Sequence, residues 1–104
     1  MSDDQEQWRQ RITPLAERAF ALAVSRWQRT APLERDELAE AQQGQAALRQ
    51  IADELRARYP GGGHPFAALI SEALLDYKYA IDAPPATSLR LHHYIESQSG
   101  SRAT

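Results

Sequence analysis

Proline and glycine punctuation constrains this chain more than any other feature. Thr13-Pro14, Thr30-Ala31-Pro32, the run from Tyr59 through Pro60, Gly61, Gly62, Gly63 and His64 to Pro65, and Asp82-Ala83-Pro84-Pro85 interrupt a sequence otherwise rich in alanine, leucine, glutamine and arginine. Proline lacks an amide proton and clashes with the preceding helical turn, and glycine loses the most backbone freedom when ordered. The stretches between the breaks therefore read as three long helices followed by a C-terminal segment.

In the first stretch, Asp3 and Asp4 suit the N-terminal cap, and Thr13-Pro14 reads as a second cap with proline at the first helical position. The helix is expected either to kink at Pro14 or to begin again there. Leu15, Ala16, Ala19, Phe20, Leu22, Ala23, Val24 and Trp27, with Trp8 and Ile12 upstream, sweep roughly 200° of an ideal wheel, about twice a one-sided apolar stripe. A helix this apolar is expected to meet neighbours on two sides.

Thr30-Ala31-Pro32 starts the second helix. Glu34, Asp36 and Glu37 at its beginning and Arg56 and Arg58 at its end suit the helix macrodipole. Its core stripe is Leu38, Ala41, Gln45, Leu48, Ile51, Ala52, Leu55 and Tyr59. Gly44 costs about 1 kcal/mol against alanine inside a helix. It marks either a break near Gln42–Gln45 or a place where another helix comes close.

The third helix is predicted from Pro65 to about Ile81. Phe66, Leu69, Ile70, Ala73, Leu74, Tyr77 and Ile81 repeat at i, i+3, i+4, i+7. A thinner stripe of Ala68, Leu75 and Tyr79 lies opposite, to be covered by the C-terminal segment or by a partner. Residues 88–96 fit two periods, a short helix capped by Ser88 or an alternating strand. The helix is preferred because a lone strand has nothing to pair with. The expected fold is all-α: a small three- to four-helix bundle forming one domain over residues 1–96, with a flexible, disordered polar tail over 97–104.

Composition narrows the function classes. The 104 residues are 42% hydrophobic and 25% charged, enough for one core. With no cysteine, disulfides, thiolate nucleophiles and cysteine-bound zinc are excluded. Charge interrupts every apolar run, so no membrane span is expected. The acidic Met1-Ser2-Asp3-Asp4 start does not resemble a secretory signal, and a cytoplasmic location follows as the expectation. Lys78 is the single lysine beside 11 arginines (12 basic residues in all), a bias suggesting a GC-rich bacterial or phage genome.

Candidate chemistry is sparse. Gly61-Gly62-Gly63-His64 precedes a helix but follows no strand and lacks the Lys-Ser/Thr of a phosphate loop, so it reads as a turn. His92 and His93 are adjacent and diverge, and with His64 and Glu96 they make only a weak metal or small-ligand reading. Glu72 and Asp76, four apart, share a face and could act as an acid–base pair, but their sector is expected to hold solvated charge. No serine has a recognisable base nearby. Arg11, Arg18, Arg26 and Arg29 fall within roughly 80° of one face. They form a salt-bridged surface or, as the alternative function, a nucleic-acid-binding stripe, which the net charge of −2 disfavours.

The leading expectation is a non-enzymatic protein–protein interaction module, an adaptor, assembly subunit or inhibitor, that forms a homodimer and needs no cofactor. Arg18, Trp27, Arg29, Leu75 and Tyr79 are the expected partner-binding residues, since aromatic and arginine side chains anchor interfaces.

Overall fold

The computed structural model describes residues 2–61 and 63–103, with side chains over 5–61 and 63–99. Four helices follow one another, α1 (Ser2–Arg29), α2 (Arg35–Arg58), α3 (Ala67–Asp82) and α4 (Leu89–Ala103). No strand occurs among the described residues, so the all-α expectation holds. The molecule measures 48 × 32 × 21 Å. Its length is set by α1, since 28 residues at 1.5 Å rise make about 42 Å.

α1 does not begin again at Pro14. It is one helix with that proline inside it. An interior proline costs about 3 kcal/mol or more. The cost is met by packing on both sides of it, because Ile12 lies before Pro14 and Ala16, Ala19 and Leu22 lie after it, all buried in one cluster. The side chains of Asp3 and Asp4 lie outside the described residues, so their capping role does too. α1 stops where Thr30 turns left-handed (φ 52°).

α2 begins at Arg35, three residues after Pro32 rather than at it. Glu34 is its N-cap, and the Glu34 amide donates to Glu37 Oε1 at 3.4 Å. The helix runs unbroken through Gly44, and of the two readings of that glycine the close approach is correct. A Cβ built on Gly44 would lie 2.3 Å from Cζ of Tyr77. The Tyr77 ring is fully buried, and its hydroxyl donates to the Leu15 carbonyl at 2.9 Å. Tyr77 on α3 therefore bridges both other long helices.

α3 opens two residues later than expected. Phe66 is its N-cap, and the Phe66 amide donates to Nδ1 of His64 at 3.2 Å. Its buried Ile70, Ala73, Tyr77 and Ala80 share one core with Ile12, Ala16, Ala19 and Leu22 of α1 and Ala41, Leu48, Ile51 and Leu55 of α2. α1 and α2 are antiparallel, as the pairs Arg11–Glu54 and Arg29–Glu37 at opposite ends show.

Residues 89–96 are helical, as preferred, and Ser88 caps them. The Leu91 amide donates to Ser88 Oγ at 3.1 Å, the usual bond from the third helical residue to an N-cap hydroxyl. α4 is longer than the expected short helix, because its backbone stays helical to Ala103. Of the tail expected over 97–104, Thr104 and the side chains of 100–103 lie outside the described residues. No helix among the described residues is long and apolar enough to cross a membrane.

Gly44→Ala reverses the usual sign of a helix-interior substitution. Alanine's propensity gain of about 1 kcal/mol is outweighed by overpacking against a buried ring, typically about 1–3 kcal/mol. Urea denaturation is expected to show net destabilisation, whereas alanine at Gln50, exposed on the same helix, leaves stability within about 0.5 kcal/mol.

Candidate docking surface at the junction of α3 and α4

Glu72 and Asp76 lie one turn apart on α3, so both carboxylates leave the same side of the helix. The expectation of solvated charge there is wrong, because the N-terminus of α4 rests on them. The Leu89 amide donates to Glu72 Oε2 at 3.1 Å and the Arg90 amide to Oε1 at 3.0 Å. With Ser88 Oγ taking the Leu91 amide, side chains satisfy three of the N–H groups that an isolated helix end leaves orphaned. A carboxylate in that position also suits the positive end of the helix dipole.

Asp76 goes deeper. Its side chain has no exposed surface. Ser88 Oγ donates to Oδ1 at 2.5 Å, and Arg90 Nε donates to Oδ2 at 2.6 Å. The guanidinium continues inward, with Nη2 donating to the Ala16 carbonyl at 2.8 Å and Cζ 5.0 Å above the Phe20 ring. One arginine thus ties α4 to both α3 and α1. Burial raises the Asp76 pKa above its ordinary 3.8, against the opposing pull of the Ser88 and Arg90 hydrogen bonds.

The second anchor of α4 is aromatic. Tyr94 meets Phe20 edge-on at 6.0 Å and Trp27 edge-on at 5.8 Å, while Gln28 Nε2 donates to its hydroxyl at 2.9 Å. Both contacts fall within the range of favourable aromatic pairs. Leu91 is the one fully buried large hydrophobic side chain that α4 contributes. The broad apolar sweep of α1 is therefore covered within the chain, by α2 and α3 on one side and α4 on the other. Less apolar surface is left over than the helical wheel implies.

What remains exposed is concentrated. Among the described residues the exposed large hydrophobics are Leu75, 38% accessible, and Leu89, 63% accessible. Leu75 is three residues after Glu72 on α3, and Leu89 has its amide on the Glu72 carboxylate. The two leucines therefore border the same side chain. Ala68 is exposed and Tyr79 half-buried along the same stripe of α3.

The expected partner-binding residues divide accordingly. Leu75 and Tyr79 lie at this junction. Trp27 is half-buried against Tyr94. Arg18 and Arg29 sit on the far side of α1 in ion pairs with α2, Arg18 Nε to Glu40 at 2.5 Å and Arg29 Nη2 to Glu37 at 2.5 Å. Arg11 pairs with Glu54 at 3.1 Å. These hydrogen bonds draw the Glu37, Glu40 and Glu54 pKa values below the ordinary 4.5. The salt-bridged reading of the arginine stripe is thus what three of its four members show. Arg26 differs in continuing the buried line of Ala19 and Ala23, with its Nε buried and without a hydrogen-bond partner.

The histidines are apart. His64 accepts the Phe66 amide just before α3 and lies near Tyr59, with ring centroids 6.2 Å apart. His92 and His93 are exposed and share Glu96, at 3.3 and 3.9 Å. Among the described residues no three histidine or carboxylate side chains gather in a way that could hold a metal ion. A cleft of about 470 Å³ between α1 and α2 is lined by Leu15, Arg18, Glu40, Gly44 and Tyr77, but its arginine is paired with its glutamate and its phenol with a backbone carbonyl. Comparison with protein-family models, curated proteins and solved structures finds no match for the chain.

Two outcomes follow from the Asp76 network. Asp76→Ala leaves the buried Ser88 hydroxyl without its acceptor and removes the Nε partner of Arg90, which keeps the Ala16 carbonyl and is partly exposed, so a loss of about 1–3 kcal/mol is expected. Hydrogen exchange is expected to show α4 amides losing protection first, ahead of α2. The raised Asp76 pKa sets a sign as well. Its contribution to stability is full below 3.8 and is lost as pH rises through its folded-state value. Asp76→Asn removes that decline, so the stability of the variant relative to the parent rises with pH across that window in denaturant titrations.

Proposed function

We propose that this chain is a non-enzymatic protein–protein interaction module that presents the α3–α4 junction to an apolar surface of a partner. The observation that carries the reading is that the exposed Leu75 and Leu89 both lie next to Glu72, one three residues along α3 and the other through its backbone amide. Single exposed hydrophobic residues are ordinary on any surface. Here the two large ones lie on adjoining helices, each next to Glu72, with Tyr79 one turn along from Leu75. Protein interfaces combine large apolar side chains with flanking polar groups in this way.

The composition is consistent with action in a reducing cytoplasm, where a cysteine-free helical domain needs no covalent staples. The arginine-rich, lysine-poor usage fits a bacterial or phage source. The nucleic-acid alternative gains nothing from the α1 stripe, since Arg11, Arg18 and Arg29 are engaged by α2 carboxylates. Electrostatic affinity for phosphate needs cations free to release counterions.

The test is a double substitution, Leu75→Glu with Leu89→Glu, compared with the parent chain by affinity capture from the native host. Both side chains are solvent-exposed, so the fold and thermal midpoint are expected to survive. Capture of a host protein should be lost at least tenfold. Identical capture by the two proteins, or capture by neither, contradicts the reading.

A further inference from the structure

α4 is joined to the bundle by a hinge held in an unfavourable conformation. Ala83 has φ 47° and ψ 52°, the left-handed region, where a Cβ crowds the backbone and residues other than glycine are uncommon. It also precedes Pro84, and the residue before proline prefers an extended backbone. Extending residues 83–88 would relieve both conflicts. Six residues reach at most about 20 Å, enough to carry α4 clear of its own bundle.

The groove under α4 matches that helix in charge and hydrogen bonding. It offers the Glu72 and Asp76 carboxylates, the Ala16 carbonyl, and the Phe20 and Trp27 ring edges to the helix end, Arg90 and Tyr94. Departure uncovers Leu91, Tyr94 and the Phe20 and Trp27 rings, apolar surface that a monomer cannot leave open and that an identical helix covers again. An identical helix from another molecule would restore every one of these contacts, while both hinges relax. Exchange of identical elements is a low-cost route to a symmetric dimer, and strained hinges favour it.

We infer that the α1–α3 groove is a docking surface for α4 of a second copy of this chain, giving a dimer by helix exchange. This goes beyond the partner surface at Leu75 and Leu89, which is the outer side of the same junction, with Glu72 bordering both. The doubly substituted chain keeps the groove and the hinge, so the two proposals fail separately.

The chain has no cysteine, which makes the test clean. Gln28 and Gln98 line one cleft between α1 and α4, and Gln28→Cys with Gln98→Cys places two thiols for a short bis-maleimide cross-linker. Unlabelled and heavy-isotope-labelled chains are refolded together at millimolar concentration, and monomer and dimer are separated before cross-linking. Mixed-isotope cross-linked peptides are expected in the dimer and same-isotope ones in the monomer. Ala83→Gly, which makes the closed hinge comfortable, should lower the dimer fraction severalfold. On the unsubstituted chain, isotope-filtered NOEs between Tyr94 and Trp27 of differently labelled copies give the same readout. A chain that stays monomeric throughout, a dimer carrying only same-isotope cross-links, or a dimer fraction unchanged by Ala83→Gly overturns the proposal.

Discussion

The carboxylate of Asp76 determines how the last third of this molecule is arranged. It is buried at the edge of a helical core, where a charge is costly unless every lone pair finds a donor. Its donors, Ser88 and Arg90, both come from the start of α4. Arg90 then reaches past it to a carbonyl of α1. Satisfying one acid therefore fixes the direction in which the chain leaves the Pro84-Pro85 turn and where α4 begins. Glu72, a turn away, completes the arrangement by capping the helix so placed. The rest of α4 follows from that start, with Leu91 buried and Tyr94 set between Phe20 and Trp27.

Beneath this lies a three-helix core built by α1, α2 and α3. Tyr77 is its central piece, a full-sized ring admitted because Gly44 offers no side chain. The α1–α2 pair is further joined by ion pairs on the surface, whose contribution is small because both partners are wet. Stability is thus graded across the molecule. The α1–α3 core rests on area burial, whereas α4 adds one fully buried leucine and relies more on directional contacts. Elements held in that way supply the low-stability end of a protein's opening spectrum. Both proposals made for this chain involve that end, one through the leucines at the junction and one through release of the helix itself.

Much of the architecture is legible in the sequence because its signals are local. Proline and glycine positions separate the helices, the repeat from Phe66 to Ile81 identifies the buried side of α3, and Ser88 reads as a cap. Pro14 misleads because its local penalty is overridden by burial of Ile12 and Ala16 on either side, which no window of the sequence reveals. Glu72 and Asp76 mislead for a related reason. Their spacing shows that they share a face, but the groups that face them lie 12 to 18 residues further on, beyond a turn whose direction the residues do not encode. The only hint is the Leu75 and Tyr79 stripe beside them, which implies that something covers part of that side. The Arg90 role has no signal at all, since a lone arginine near a helix start usually belongs to solvent.

That α4 is held through Asp76 and Arg90 acting together can be tested by a double-mutant cycle. Unfolding free energies are measured for the parent chain, Asp76→Ala, Arg90→Ala and the double variant. Residues sharing one buried network couple by about 0.5–3 kcal/mol, and a value in the upper half of that range is predicted here. Additive effects, with a coupling indistinguishable from zero, would contradict the account.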